Sequence, residues 1–183
     1  MIAISDLEPG DSDSILAVAS ILLKGFLETA PGAWPDLETA LEEVHESLGD
    51  DRISRIARQE NEVVGWIGGI DEEYDGGVWE LHPLVVAPEH QRRGIGRLLV
   101  FDFETQVQAR EGNIITLGTD DMTGQTSLAG IDLFQNTLEH LSRIRNLNNH
   151  PYEFYQKLGY TITGVIPDAN GWGKPDILMA KHL

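Results

Sequence analysis

Two ionisable side chains, Glu80 and His82, stand two residues apart in the run Val78 to Val86, VWELHPLVV. Alternate residues of a strand share a face, so this spacing puts both groups on one side, roughly 7 Å apart. A carboxylate and an imidazole so placed suit proton transfer to or from a bound reactant. Periodicity by itself also allows a hydrogen-bonded pair on a solvated sheet face. The same alternation assigns Leu84 and Val86 to the face of Glu80 and His82, with Trp79, Leu81 and Val85 on the other. Pro83 cannot donate a ladder hydrogen bond, so the strand is expected to bulge or part from a neighbour there. A parted strand leaves backbone N–H and C=O groups that could bind an extended amide-bearing ligand as an added strand would.

Just beyond this run lies Gln91-Arg92-Arg93-Gly94-Ile95-Gly96-Arg97, at the start of an expected helix from about Gly94 to Arg110. The first amides of a helix point outward unpaired, and glycine lets a phosphate approach them closely. Arg92, Arg93 and Arg97 add positive charge. The segment is neither G-x-x-x-x-G-K-[ST] nor G-x-G-x-x-G, because position 99 is Leu, which excludes a P-loop or a Rossmann fingerprint. An acid/base pair followed by an anion cradle points to a phosphate-bearing cofactor delivered to a reacting group.

The elements that must position these groups can be read along the chain. Ile2 and Ile4 suggest a short first strand. A helix follows Asp11 to Ser14, with Ile15, Val18, Ala19, Leu22 and Phe26 at helical spacing, and a second runs from about Asp36 to Leu48. Residues 52–58 and 62–70 read as a β-hairpin, 113–119 as a buried strand, and 126–148 as polar and mostly helical. Pro151 opens a helix that Gly159 ends, and strands at about 160–166 and 176–181 close the chain. Strands first paired by a hairpin and then alternating with helices predict one α/β domain over 1–183, with a mixed central sheet, a splayed or bulged strand and flanking helices.

At 183 residues the chain is long enough for a substantial core, and 41% apolar with 23% charged residues argues against disorder. Thirteen Lys and Arg against 30 Asp and Glu give a net charge of −17, a field that repels nucleic acid and attracts cations. A basic small molecule or peptide is therefore the expected partner. There is no cysteine, hence no disulfide frame and no cysteine nucleophile. The 6 histidines show no zinc spacing, so no metal is expected. No apolar run reaches membrane-spanning length and the N-terminus has no secretory pattern, which makes the cytoplasm the expected location.

QRRGIG matches the Q/R-x-x-G-x-G/A loop of the GNAT acetyltransferases, and the chain resembles that superfamily. Four blocks narrow the resemblance. WELHPLVV (79–86), LGTDD (117–121), HPYEFYQKLGY (150–160) and ANGWGKPDI (169–177) occur in the order and form seen in aminoglycoside 6′-N-acetyltransferases. The N-terminal third is similar only through Trp34-Pro35. One departure is Thr123, where related chains can carry an acidic residue.

The resemblance implies an acetyl-CoA-dependent enzyme acting on the 6′-amine of aminoglycosides, conferring resistance, and commonly dimeric. It implies that the backbone of Leu84, Val85 and Val86 holds the pantetheine arm, with the Leu84 N–H as an oxyanion donor. The amides of Gln91, Arg92, Arg93, Gly94, Ile95, Gly96 and Arg97 would hold the pyrophosphate. Glu80, or His82 in its place, would take the amine proton. Tyr155 would serve the departing thiolate, with Tyr152 on roughly the same helix face as a substitute. Trp34, Tyr74, Glu80, Asp120 and Asp121 would meet the polycation through charge-assisted hydrogen bonds and cation–π contacts. Without the resemblance either tyrosine reads as a packed core aromatic, and Asp120-Asp121 reads equally well as a helix cap or a turn former. Other cationic amines, such as polyamines or peptide N-termini, suit the same acidic chain, and a non-catalytic CoA-binding module is a further alternative.

Overall fold

The computed structural model describes residues 1–183. Its contacts divide into two compact units, Met1–Ile115 with Leu183, and Thr116–His182.

In the first unit, β1 (Ile2–Asp6), β2 (Arg52–Gln59), β3 (Glu62–Asp71) and β4 (Val78–Val86) lie side by side in that order, each antiparallel to the next. The helices are α1 (Ser12–Phe26), α2 (Leu37–Glu46) and α3 (Ile95–Ala109). Both early helices begin at an aspartate whose side chain accepts a backbone N–H of the first turn, Asp11 from Ser14 and Asp36 from Thr39. The apolar faces expected of α1 and α2, including Val18, Leu22, Ala40 and Val44, are buried with Ile56, Trp66 and Val85 of the sheet. From the opposite side Leu99 and Phe103 of α3 press against Gly65 and Gly69 of β3. Arg55 of β2 holds α3 through a bidentate pair with Asp102, 2.6 and 3.0 Å.

The register of β3 with β4 corrects the expected facing of β4. Ile67 pairs with Leu84 and Gly69 with Leu81, so two residues of β4, His82 and Pro83, stand opposite the single residue Gly68. The bulge anticipated at Pro83 is therefore present, and it shifts the alternation by one. Glu80 pairs with Ile70 and Val85 with Trp66, on the face covered by α1 and α2. Leu81, Leu84 and Val86 lie on the α3 face instead. Leu84 and Val86 thus do not share a face with Glu80 and His82.

Gly68 is what admits this geometry. A Cβ there would sit inside the van der Waals radius of the His82 carbonyl oxygen and against Pro83 Cδ. Backbone offers no rotamer to yield, so Gly68→Ala is expected to cost about 3 kcal/mol and to lower the melting temperature by roughly 10 °C. Scanning calorimetry measures it directly, and an unchanged melting point would mean that β4 has slack at the bulge.

The second unit holds β5 (Ile114–Asp120, its first two residues belonging to the first unit), α4 (Thr137–Ser142), α5 (Tyr152–Gln156), β6 (Thr161–Ile166) and β7 (Asp176–His182). The strand order is β5-β7-β6, with β6 and β7 antiparallel. Residues 126–148, expected to be mostly helical, form only the six-residue α4. Polar side chains there bond backbone groups in competition with a helix: Thr126 Oγ1 accepts from Leu128 N, and Ser127 Oγ from Arg145 N. Gly130 and Asn136 within the run, and Gly124 just before it, adopt positive φ, which further breaks it. No helix is long and apolar enough to cross a membrane.

Candidate active site

The face of the first-unit sheet that lies under α2 gathers acid. Glu80 and His82 are half-buried neighbours on it, as their spacing predicts. Burial raises the Glu80 carboxyl above the ordinary carboxylate range. The His82 and Arg52 charges pull it back, while Glu72 pushes it up through its charge and a side-chain hydrogen bond. The α2 helix delivers a second carboxylate, Glu43, whose Oε1 is 3.8 Å from His82 Nε2. Trp34 Nε1 donates to Glu43 Oε2 at 3.3 Å, and its ring lies 6.0 Å from the His82 ring and 4.9 Å edge-on from Phe26. Trp34, Glu43 and His82 are thus one cluster. Tyr74, by contrast, is 65% exposed in the turn that joins β3 to β4, and no ring contact joins it to this cluster.

Neither Glu43 nor Glu72 is legible as a site residue in the sequence. Glu43 sits among other acids on an amphipathic helix, and only the packing of α2 selects it. Glu72 belongs to the acidic DEEYDGG loop, and the diagonal register of the hairpin is the one signal that could single it out.

After β4 the chain makes a single 3-10 turn, Pro88–His90, and Gln91 Nε2 reaches back to the Val86 carbonyl at 3.2 Å. Arg92 and Gly94 both adopt left-handed backbone, φ 59° and 83°. Alternating left-handed residues turn successive N–H groups into a concave anion nest. No side chain caps α3, so its first amides, from Ile95 on, remain available. A Cβ at Gly94 would meet nothing within 4 Å, which leaves the approach open. Arg92, Arg93 and Arg97 are exposed around it. This donor set fits a pyrophosphate. Glu62, Glu89 and His90 bring possible ligand atoms within 4.8 Å of one another, but the two carboxylates are exposed, a common arrangement without an ion.

In the second unit Asp120 and Asp121 part ways at the end of β5. Asp121 is 0% exposed, and its two oxygens accept from Gln125 N at 2.6 Å and Thr126 N at 2.7 Å. It anchors the following loop and has no surface for a ligand, which corrects the acceptor contact expected of it. Asp120 is exposed, and its carboxylate accepts from Asn170. The Asp120 carbonyl meets His150 Nε2 at 3.2 Å, while His150 Nδ1 accepts from Tyr152 N at 3.3 Å. That pair of partners places the proton of a neutral ring on Nε2. Burial keeps His150 below the usual imidazole range despite the nearby aspartates. His150 is thus a structural clamp that the sequence did not reveal as one.

Tyr152 and Tyr155, both on α5, are buried. The Tyr155 ring packs 5.0 Å from Phe154 and 5.6 Å from Tyr160. At 7% exposure, burial alone pushes its hydroxyl far above the ordinary tyrosine range, so it keeps its proton. Burial likewise raises Tyr152, whose ring lies 5.6 Å from His150.

Residues 18–129 match the model of the acetyltransferase (GNAT) family. A solved aminoglycoside 6′-N-acetyltransferase complexed with coenzyme A is 41% identical over 98% of this chain and 96% of its own, with a TM-score of 0.89. The aminoglycoside 6′-N-acetyltransferase from Enterococcus faecium is 40% identical over the same shares, with a TM-score of 0.86. An aminoglycoside 6′-acetyltransferase type Ii is 37% identical, again over 98% and 96%, at 0.74. No curated protein sequence matches the chain.

Proposed function

This chain belongs to the GNAT acetyltransferase family and has its α/β fold with a mixed sheet. From that premise we infer that it transfers an acetyl group from acetyl-CoA to the 6′-amino group of aminoglycosides, and so confers resistance to them. Beside the likeness to solved enzymes of that activity, one observation carries the reading. β4, which carries Glu80 and His82 beside Trp34, leads in the chain through one short turn to the uncapped helix start at Gly94. One end suits a cationic amine and the other a pyrophosphate.

Acetyl-CoA supplies the acetyl group as an activated thioester. The chain's own residues do the rest in this proposal. The amides of Gln91 to Arg97 hold the pyrophosphate, and the backbone of Leu84 to Val86 holds the pantetheine arm. The Leu84 N–H donates to the carbonyl oxygen where negative charge develops. Glu80 takes the proton of the 6′-ammonium, with His82 as the second candidate. Tyr155, which keeps its proton because it is buried, donates to the departing sulfur. Trp34, Tyr74 and Asp120 meet the remainder of the acceptor. With no cysteine in the chain, attack within a ternary complex is favoured over an acyl-enzyme. Residues 1–183 act as one catalytic domain of a cytoplasmic homodimer in the same proposal.

The test is product analysis after incubation with acetyl-CoA and a kanamycin-type aminoglycoside, with thiol release as the rate readout. A product acetylated on the 6′-amine is expected. Turnover confined to polyamines or peptide amines would overturn the substrate assignment, and coenzyme binding without turnover of any amine would overturn the enzyme itself.

A further inference from the structure

The α2 helix brings Glu43 to the face of β4 that carries Glu80 and His82, and its contacts fix where the carboxylate points. Trp34 Nε1 donates to Oε2 at 3.3 Å, and Phe26 braces the Trp34 ring edge-on, 4.9 Å between centroids. An indole N–H can only donate, so Oε2 is committed to it. The other oxygen, Oε1, stands 3.8 Å from His82 Nε2. That distance is longer than a hydrogen bond, so the two groups meet as a charge and a ring dipole. The Glu43 side chain is only 24% exposed, which leaves its field less screened than at the open surface. A neutral imidazole has one N–H and one lone pair. A carboxylate in front of Nε2 attracts the first and repels the second. Opposite His82 on β3 stands Gly68, which has no side chain to compete. Glu80, the other acid on this face, is two residues away along the same strand.

We propose that Glu43 is a positioning residue for His82: held by Trp34, its carboxylate keeps the neutral ring in the Nε2–H form, so that Nδ1 is the nitrogen that accepts a proton from the bound amine. This deepens, and rests on, the place of His82 as second proton acceptor in the proposed acetyl transfer, with Glu80 the first. Atoms and charge balance in the His82 step. An N–H bond of the ammonium breaks, an Nδ1–H bond forms, and the electron pair stays on the nitrogen that attacks. The ring is then a cation whose Nε2–H faces Glu43, and imidazolium and carboxylate together carry no net charge. A carboxylate behind an imidazole does two things at once: it selects the tautomer and it compensates the charge that forms. The Trp34 N–H does the same for Glu43 one step further back, by fixing which oxygen is left to face the ring.

The experiment compares wild type, Glu43→Gln and Glu43→Ala by two readouts. Nitrogen NMR of the His82 ring, without amine and at a pH where the ring is neutral, reports which nitrogen holds the proton. Rates with acetyl-CoA and a kanamycin-type aminoglycoside, for each variant alone and combined with His82→Gln, report its use. Wild type should show Nε2–H. In Glu43→Gln the Trp34 N–H takes the amide oxygen and turns the NH2 group toward His82, so the ring proton should move to Nδ1. Glu43→Ala should show both forms. The kcat of Glu43→Gln should fall to that of His82→Gln with the KM for acetyl-CoA unchanged, and the double variant should fall no further. A proton on Nδ1 in wild type, or one that stays on Nε2 in Glu43→Gln, overturns the positioning whatever the rates do. Additive losses in the double variant also overturn it, since Glu43 would then act other than through His82. An unchanged kcat in both Glu43→Gln and His82→Gln overturns the step at Nδ1. A reversed tautomer in a protein that turns over no aminoglycoside supports the positioning and overturns the substrate reading.

Discussion

Glu80→Gln should lower kcat with an aminoglycoside by about 10²- to 10⁴-fold and leave the KM for acetyl-CoA nearly unchanged. Glutamine matches the shape of glutamate and keeps a hydrogen-bonding group on the same face of β4, but it cannot accept the amine proton. The pH dependence carries the sign of the effect. Burial, assisted by Glu72, raises Glu80 above the ordinary carboxylate range. A base works only when ionised, so the wild-type rate should fall on the acid side through a midpoint above that range. Glu80→Gln should lose that limb altogether. His82 is the control, because it shares the face and meets Glu43. If Glu80→Gln turns over at the wild-type rate while His82→Gln loses the acidic limb, the imidazole is the base and the two roles are reversed.

Asp121→Ala should destabilise the fold by about 3 to 5 kcal/mol, because both carboxylate oxygens of an enclosed residue leave orphaned donors behind and each such donor costs about 1 to 3 kcal/mol. Those oxygens accept backbone N–H groups at 2.6 and 2.7 Å, from Gln125 and Thr126. Charge-assisted bonds lie toward the upper part of the range. Asp121→Asn should cost roughly half as much, since its carbonyl can serve one N–H while its amide nitrogen opposes the other. Urea denaturation of the three proteins makes the comparison. A loss below about 1 kcal/mol in Asp121→Ala would show that the loop finds other acceptors, and would return Asp121 to consideration as a ligand contact.

The local signals in the chain proved dependable where one short segment decided the outcome. Asp11 and Asp36 cap the helices they precede, because capping needs only a side-chain oxygen within one turn. A helix starts directly after Gly94, as expected of the QRRGIG segment. The expectation of a mostly helical 126–148 failed because its serine, threonine and asparagine side chains bond backbone that a helix would need. Glu43 and His150 escaped notice for another reason. Each acquires its role from a partner tens of residues away in the chain, His82 for one and the Asp120 carbonyl for the other.

By itself the sequence determined that Glu80 and His82 share a face, that a bulge should fall at Pro83, and that a helix start with a glycine before it follows. These are consequences of a two-residue spacing, a missing N–H and a glycine, all local. The tertiary structure decided which face the pair occupies and what waits there. Gly68 stands opposite two residues of β4 rather than one, which turns Leu84 and Val86 toward α3 and leaves Glu80 and His82 with Trp34 and Glu43. Register is a property of two strands at once, and helix packing of many residues at once, so neither is written in the segment that carries the chemistry.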